Sequence, residues 1–238
     1  MLTLNIRCWT DTPPTSLSLA DNAVDVWWAN LDTFIHAAQA YRALLDPSET
    51  VRLERFLLER LRLGFIVRRG LLRCLLAAYL NCQPAAIRYS IEQNGKLALS
   101  FPPVERALHF NLSHSGSYAT FAVTRAGAVG VDIERAAAFK NMLQVARTVF
   151  SESEQAELAG LPADQQVTAF YSGWTRKEAV VKALGHGISF PLQTFSVSLR
   201  SDAPVQVPVS QDARLDACKL FNIPLPATLI AACAVLLP

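Results

Sequence analysis

The sequence predicts an α/β protein of the α+β kind, built as two halves. Strands, then helices, then strands follow one another twice along 238 residues, with a seam near 126–128. The chain is 51% hydrophobic and 18% charged, which supplies a core to each of two lobes of roughly 120 residues.

Residues 23–31, rich in Val and Trp after a Pro-containing leader, read as an early strand. Asp46-Pro47-Ser48-Glu49 reads as a helix start: Asp caps, Pro suits the first helical position and Glu folds back on the cap. Apolar residues then recur at Val51, Phe56, Leu63, Ile66, Val67 and Leu71, so helix is expected from 47 to 80, either as one rod or, because Gly64 and Gly70 weaken it, as two consecutive helices. Short β-prone segments follow at Ile87–Ile91, Ala107–Leu112, Tyr118–Thr124 and Val129–Ile133. A second helical block comprises Asn141–Phe150, a short helix opened by Ser151, and a longer one from Ala163 to Leu184 that stops at Gly185. Strands return from Thr194 onward. The apolar run Ala227–Leu237, 11 residues interrupted only by Thr228, falls short of the ~20 needed to span a bilayer and reads as a buried strand.

A net charge of +2 excludes a disordered acidic or basic tail protein and gives no general reason to expect nucleic acid. The N-terminus lacks the charged-then-apolar layout of a secretory signal, so a cytoplasmic protein without a membrane segment is expected. Cys8, Cys74, Cys82, Cys218 and Cys233 are odd in number and scattered, which fits buried thiols and not a disulfide or metal framework.

Four segments could carry chemistry. In Gly130-Val131-Asp132-Ile133-Glu134 the carboxylates lie two apart on a strand and share one face, where they form either a site for a hard cation such as Mg²⁺ or an exposed polar face. Trp174, Glu178 and Lys182 recur at four-residue spacing on the long second-half helix, which projects a carboxylate and an ammonium together or makes an ordinary surface pair. Phe110-Asn111-Leu112-Ser113-His114-Ser115-Gly116 is a strand end entering a polar turn, where His114 could bind phosphate, act as a base or do neither. Arg52, Arg69 and Arg73 on the first helical block, with Lys96 after Asn94-Gly95, could clamp phosphates, whereas Arg55, Arg60, Arg62 and Arg68 read mostly as a solvated face. A serine hydrolase is disfavoured, because no Ser stands between glycines two residues away on each side.

Taken in this order, Asn94-Gly95-Lys96, Asn111 to Ser115, Gly130 to Glu134 and Trp174 to Lys182 resemble the Sfp-type 4'-phosphopantetheinyl transferases, over about residues 47–200. The resemblance implies two pseudosymmetric halves with the active site between them, residues 1–126 contacting the coenzyme A nucleotide and residues 127–238 carrying the Mg²⁺ and catalytic groups. It implies transfer of the phosphopantetheine arm of coenzyme A to a serine of an apo acyl or peptidyl carrier protein, with release of 3',5'-ADP. Asp132, Glu134 and Glu178 match the family's Mg²⁺ ligands, and Lys182 matches a lysine beside the leaving phosphate. Glu178, Glu154 and a metal-bound water all correspond to candidate bases; Glu178 is preferred, because Ser151-Glu152-Ser153-Glu154 has the form of a capping box that already employs Glu154. Arg52 and His114 match positions on the 3'-phosphate, Lys96 one on the nucleotide and Ser113 one beside the phosphates, with Arg69, Arg73 and Lys177 as further substrate contacts. Gly64 stands where some relatives carry Arg. A cleft complete within one chain implies a monomer. The alternatives are a binding module without turnover and a Mg²⁺-dependent hydrolase that uses water in place of the serine.

Overall fold

The computed structural model describes residues 1–10, 12–92, 94–103, 107–187, 190–200, 209–210 and 213–238. The strands fall into two principal sheets. In the first, β1 (Thr3–Cys8) pairs parallel with β2 (Ala23–Asn30), and two later strands complete the order β1-β2-β6-β5. Between them run the helices α1 (Ala38–Arg42), α2 (Pro47–Glu54) and α3 (Glu59–Leu80), then the small hairpin of β3 (Arg88–Ile91) and β4 (Leu97–Phe101). The antiparallel pair β5 (His109–Ser115) and β6 (Tyr118–Thr124) closes this half.

The second sheet has β7 (Ala128–Arg135) at one edge. The helices α4 (Met142–Val149), α5 (Glu152–Gly160) and α6 (Ala163–Leu184) follow, then the short pair β8 (Phe195–Ser196) and β9 (Val209–Ser210), then β10 (Cys218–Ile223) and β11 (Leu229–Leu236). The sheet order is β10-β11-β7, all antiparallel. Each half thus sets one 22-residue helix, α3 or α6, against its sheet. The apolar run read from Ala227 is β11, the central strand, buried along most of its length.

Local chemistry explains the helix ends. Asp46 accepts from Glu49 N at 2.9 Å while Glu49 Oε2 accepts from Asp46 N at 3.2 Å, a reciprocal cap with Pro47 in the first turn. Ser151 and Glu154 make the same device on α5, and Gly185 ends α6 at φ 72°.

The break between α2 and α3 falls at residues 55–58 and not at Gly64 or Gly70, both of which lie inside α3. Gly70 is there because the Tyr41 ring occupies the space a side chain would need. The leader also contributes more than expected: β1 adds a strand, and Trp9 packs edge-on against Trp27 with ring centroids 5.5 Å apart. Finally, β5 extends through Ser115, so His114 lies on a strand and the turn begins at Gly116.

Gly130 governs how closely the second half closes on its sheet. A Cβ there would collide with Ala179 O and Ala183 N and lie 2.8 Å from Lys182 Cβ, so only glycine lets α6 lie this near β7. Substituting Gly130→Ala is therefore expected to cost about 1–3 kcal/mol by overpacking. Urea unfolding measures it, and an unchanged midpoint would contradict the close approach.

Candidate active site in the cleft between the halves

Strand alternation assigns the side chains of β5 and β7. On β5, Asn111, Ser113 and Ser115 point to β7, whereas Leu112 and His114 point into a cavity of about 280 Å³. On β7, Val129, Val131 and Ile133 enter the apolar core, which leaves Gly130, Asp132 and Glu134 on the face that meets α6. One turn of α6 then places Glu178 and Lys182 on the cavity wall beside them.

The first half contributes cations. Arg52 from α2, Arg68 and Arg69 from α3, His114 from β5 and Lys96 from the start of β4 all line the cavity. The three guanidinium carbons sit 5.4–5.9 Å from the centre of the Phe65 ring, whose face offsets part of their mutual repulsion. Burial, together with the Arg69 and Arg52 charges, pushes Arg68 down to about 9. Arg69 Nε and Nη1 are buried without hydrogen-bond partners; the Glu49 carboxylate lies 3.5 Å from Nε. Partial desolvation, then the Arg68 and Lys182 charges, push His114 down to about 4, so it is neutral near pH 7. Such a cluster, short of negative charge and with unused donors, favours an anion.

The second half contributes acids. Ser113 Oγ donates to Asp132 Oδ1 at 2.7 Å and Ser115 Oγ to Glu134 Oε2 at 2.6 Å, so two β5 hydroxyls orient two β7 carboxylates. Lys182 Nζ lies 2.6 Å from Asp132 Oδ1. Burial and the nearby Asp132 charge hold the Glu178 carboxyl above its ordinary range, against the opposing pull of Lys182. Glu134 is raised mainly by burial and further by Asp132, with Ser115 opposing. Lys96 Nζ donates to Lys182 O at 2.7 Å and Val129 O at 3.1 Å, tying the β3–β4 hairpin to the end of α6.

Comparison with known proteins accounts for this arrangement. Residues 128–232 match the family described as the 4'-phosphopantetheinyl transferase superfamily, and residues 27–126 match one described as 4'-phosphopantetheinyl transferase, N-terminal. The 4'-phosphopantetheinyl transferase HetI of Nostoc sp. is 33% identical over 199 residues, covering 84% of this chain and 83% of the relative. The Bacillus subtilis 4'-phosphopantetheinyl transferase Sfp is 28% identical, covering 82% and 84%. AcpT of Salmonella typhimurium is 41% identical over a shorter stretch, 51% of this chain and 61% of that one. The chain belongs to the 4'-phosphopantetheinyl transferase superfamily. It is a transferase enzyme, and the two family matches lie on either side of the residues that join β6 to β7.

Several expected site residues of this phosphopantetheinyl transferase do other work. Arg73 is fully buried away from the cavity wall: Nε donates to Glu49 Oε2 at 3.0 Å, Nη2 to Asp46 Oδ2 at 2.9 Å and Nη1 to Ile87 O, so it is not placed to reach a substrate phosphate. It binds α3 to the cap of α2, the helix that presents Arg52. Glu154 is likewise saturated, accepting from Ser151 N and Val197 N at 2.7 Å each and pairing with Lys177 Nζ at 2.7 Å. Lys177 spends its remaining donors on Leu192 O and Phe195 O. Glu154 is therefore not placed as a base nor Lys177 as a substrate contact; both are buried inside the second half. Ser113 lies on the Asp132 carboxylate and is absent from the cavity wall.

Sequence reasoning missed three residues. Arg68 lines the cavity although it reads as one more arginine of a solvated helix. Ser115 was visible only as part of a motif, and its partner Glu134 lies 19 residues away. His186 reaches the cavity wall, stacked on Phe190 with its Nε2 unpartnered, and carried no signal at all.

Two outcomes follow. NMR titration of the free protein should place His114 near pH 4, and phosphate binding beside it should raise that midpoint, since an adjacent anion favours imidazolium; an ordinary midpoint near 6.5 would contradict the cationic surroundings. Lys177→Met should cost about 3–5 kcal/mol in urea unfolding, because it leaves the buried Glu154 charge uncompensated.

Proposed function

We propose that this enzyme moves the 4'-phosphopantetheine arm of coenzyme A onto a serine of an apo acyl or peptidyl carrier protein, with Mg²⁺, releasing 3',5'-ADP. One observation carries the reading: an anion-seeking cluster of Arg52, Arg68, Arg69 and His114 shares a single cavity with Glu178 and Lys182, which adjoin Asp132. Coenzyme A presents a 3'-phosphate and a pyrophosphate at two ends of its nucleotide, and the two clusters suit those two ends.

The acidic residues fit a hard cation. Asp132 Oδ2 is buried without a hydrogen-bond partner, and burial, with the Asp132 charge adding to it, raises both Glu134 and Glu178. Among the described residues no three His, Cys, Asp or Glu side chains converge as a ready-made metal cage. Mg²⁺ commonly takes only one or two carboxylates and completes its shell with substrate phosphates and water, so Asp132, Glu134 and Glu178 would hold it. When bound, it would supply neutralisation of the pyrophosphate charge.

The chain's own groups perform the rest. Glu178, whose raised carboxyl makes it a stronger base, takes the proton of the carrier serine. The serine oxygen bonds to the pantetheine-side phosphorus, and the pyrophosphate P–O bond to the nucleotide breaks. Lys182 Nζ neutralises the departing phosphate. Arg52, Arg69 and His114, joined by Arg68, grip the 3'-phosphate, while Lys96 lies against the nucleotide. Gly64 has nothing within 4 Å of its Cβ position, so the missing arginine contact was not displaced by a packed neighbour. In this reading residues 1–126 bind the nucleotide and 127–238 carry the metal and leaving-group chemistry. A cavity lined from both halves of one chain supports a monomer, and five free cysteines support a reducing, cytoplasmic setting. No helix among the described residues is long and apolar enough to cross a membrane.

Intact-mass analysis of apo carrier proteins incubated with the enzyme, coenzyme A and Mg²⁺ should show the gain of one phosphopantetheine, abolished by EDTA. Release of 3',5'-ADP without a carrier would identify a hydrolase instead, and bound coenzyme A without any product a binding module. Asp132→Ala should remove transfer while the protein stays folded. Lys182→Ala should lower kcat by about 10²-fold with less effect on coenzyme A affinity; a pure affinity loss would reject its leaving-group role.

A further inference from the structure

Asp132 is 4% exposed, and its two oxygens are treated differently. Oδ1 receives Lys182 Nζ at 2.6 Å and Ser113 Oγ at 2.7 Å, whereas Oδ2 is buried without a partner. The ammonium itself has settled around this carboxylate: its other contacts are Ser113 Oγ at 3.1 Å and Val131 O at 3.3 Å, both beside Asp132. All three N–H groups of Lys182 are thereby occupied, although its side chain lies on the cavity wall and is 28% exposed.

Resting on the Mg²⁺-dependent reading above, we infer that Lys182 is the resident counter-ion of Asp132 in the free enzyme, and that a divalent metal must displace it. The ammonium stands in for the metal, holding an otherwise uncompensated buried carboxylate. Two cations within a few ångströms of one carboxylate repel, so the ammonium weakens metal binding until it moves. Displaced from Oδ1, the side chain has the cavity as its open direction, where a substrate phosphate would receive it. A ligand that draws Lys182 into the cavity equally opens Asp132 to the metal; linkage makes the two binding events mutually reinforcing. Lys182 is thus held off the phosphate in the free enzyme, and metal and phosphate each favour its release.

The test needs no turnover. Mn²⁺ is titrated alone, with binding read by electron paramagnetic resonance, into the wild type, Lys182→Met and Lys182→Arg. Lys182→Met keeps an apolar stem of similar length without the charge, and it should bind Mn²⁺ on the order of 10-fold tighter than wild type. Lys182→Arg keeps the charge and should not gain. In metal-free buffer Lys182→Met should melt below wild type, with the deficit recovered by Mn²⁺, and adding Asp132→Asn should abolish the gain in affinity. Equal or weaker Mn²⁺ binding by Lys182→Met, binding by neither protein, or an equal gain by Lys182→Arg would overturn the inference. Transfer to a carrier by the wild type is measured separately, so the failure of this inference and that of the proposed function are distinguishable.

Discussion

The join between β5 and β7 is the constraint on which the rest depends. The two strands run side by side yet belong to separate sheets, and the hydrogen bonds between them come from side chains. Asn111 Oδ1 accepts from Val131 N at 3.0 Å and Ser115 Oγ from Arg135 N at 3.2 Å, giving edge-strand donors partners that a backbone ladder would otherwise supply. The same row of side chains holds Asp132 and Glu134. Joining the halves and orienting the acids are therefore one set of bonds, and a change at the seam reaches the site directly.

Charge is divided accordingly. The first half brings arginines and a histidine to the cavity, the second brings Glu178 and Lys182, and α6 closes the gap because Gly130 admits it. Neither cluster is comfortable alone: burial first, and neighbouring charges after it, lower Arg68 and His114 and raise Glu134 and Glu178. An anion relieves the cationic cluster and a cation the acidic one, and that relief is binding energy available to the reaction.

Buried ions elsewhere show the contrast. Arg73 with Glu49 and Asp46, and Lys177 with Glu154, have their strongest donors and acceptors matched inside the fold. The cavity groups do not: Arg69 Nε and Nη1, Asp132 Oδ2 and His186 Nε2 are buried without hydrogen-bond partners. Closed pairs fix the frame, whereas the open groups in and beside the cavity are available to a ligand.

The sequence by itself determined the elements whose cause is local. The Asp46 and Ser151 caps, the span of α6 to Gly185 and the shared face of Asp132 and Glu134 follow from side-chain spacing and short-range hydrogen bonding, and the motif order carried the family. Only the tertiary structure decided which charges are open and which are closed. Arg68 and Arg73 lie five residues apart on one helix, yet one faces the cavity and the other is sealed against Glu49; Glu178 and Lys177 are adjacent, yet only the first lines the cavity. Those outcomes rest on partners 14 residues or more away in the chain, as with Arg73 on Ile87 and Glu49 and Lys177 on Leu192 and Phe195. The length of β5, too, was settled in the tertiary structure, where Ser115 pairs with Tyr118 of β6 and its hydroxyl meets Glu134 and the Arg135 backbone of β7. Local spacing fixes the direction in which a side chain leaves its own element, but what it meets there depends on how the elements are packed.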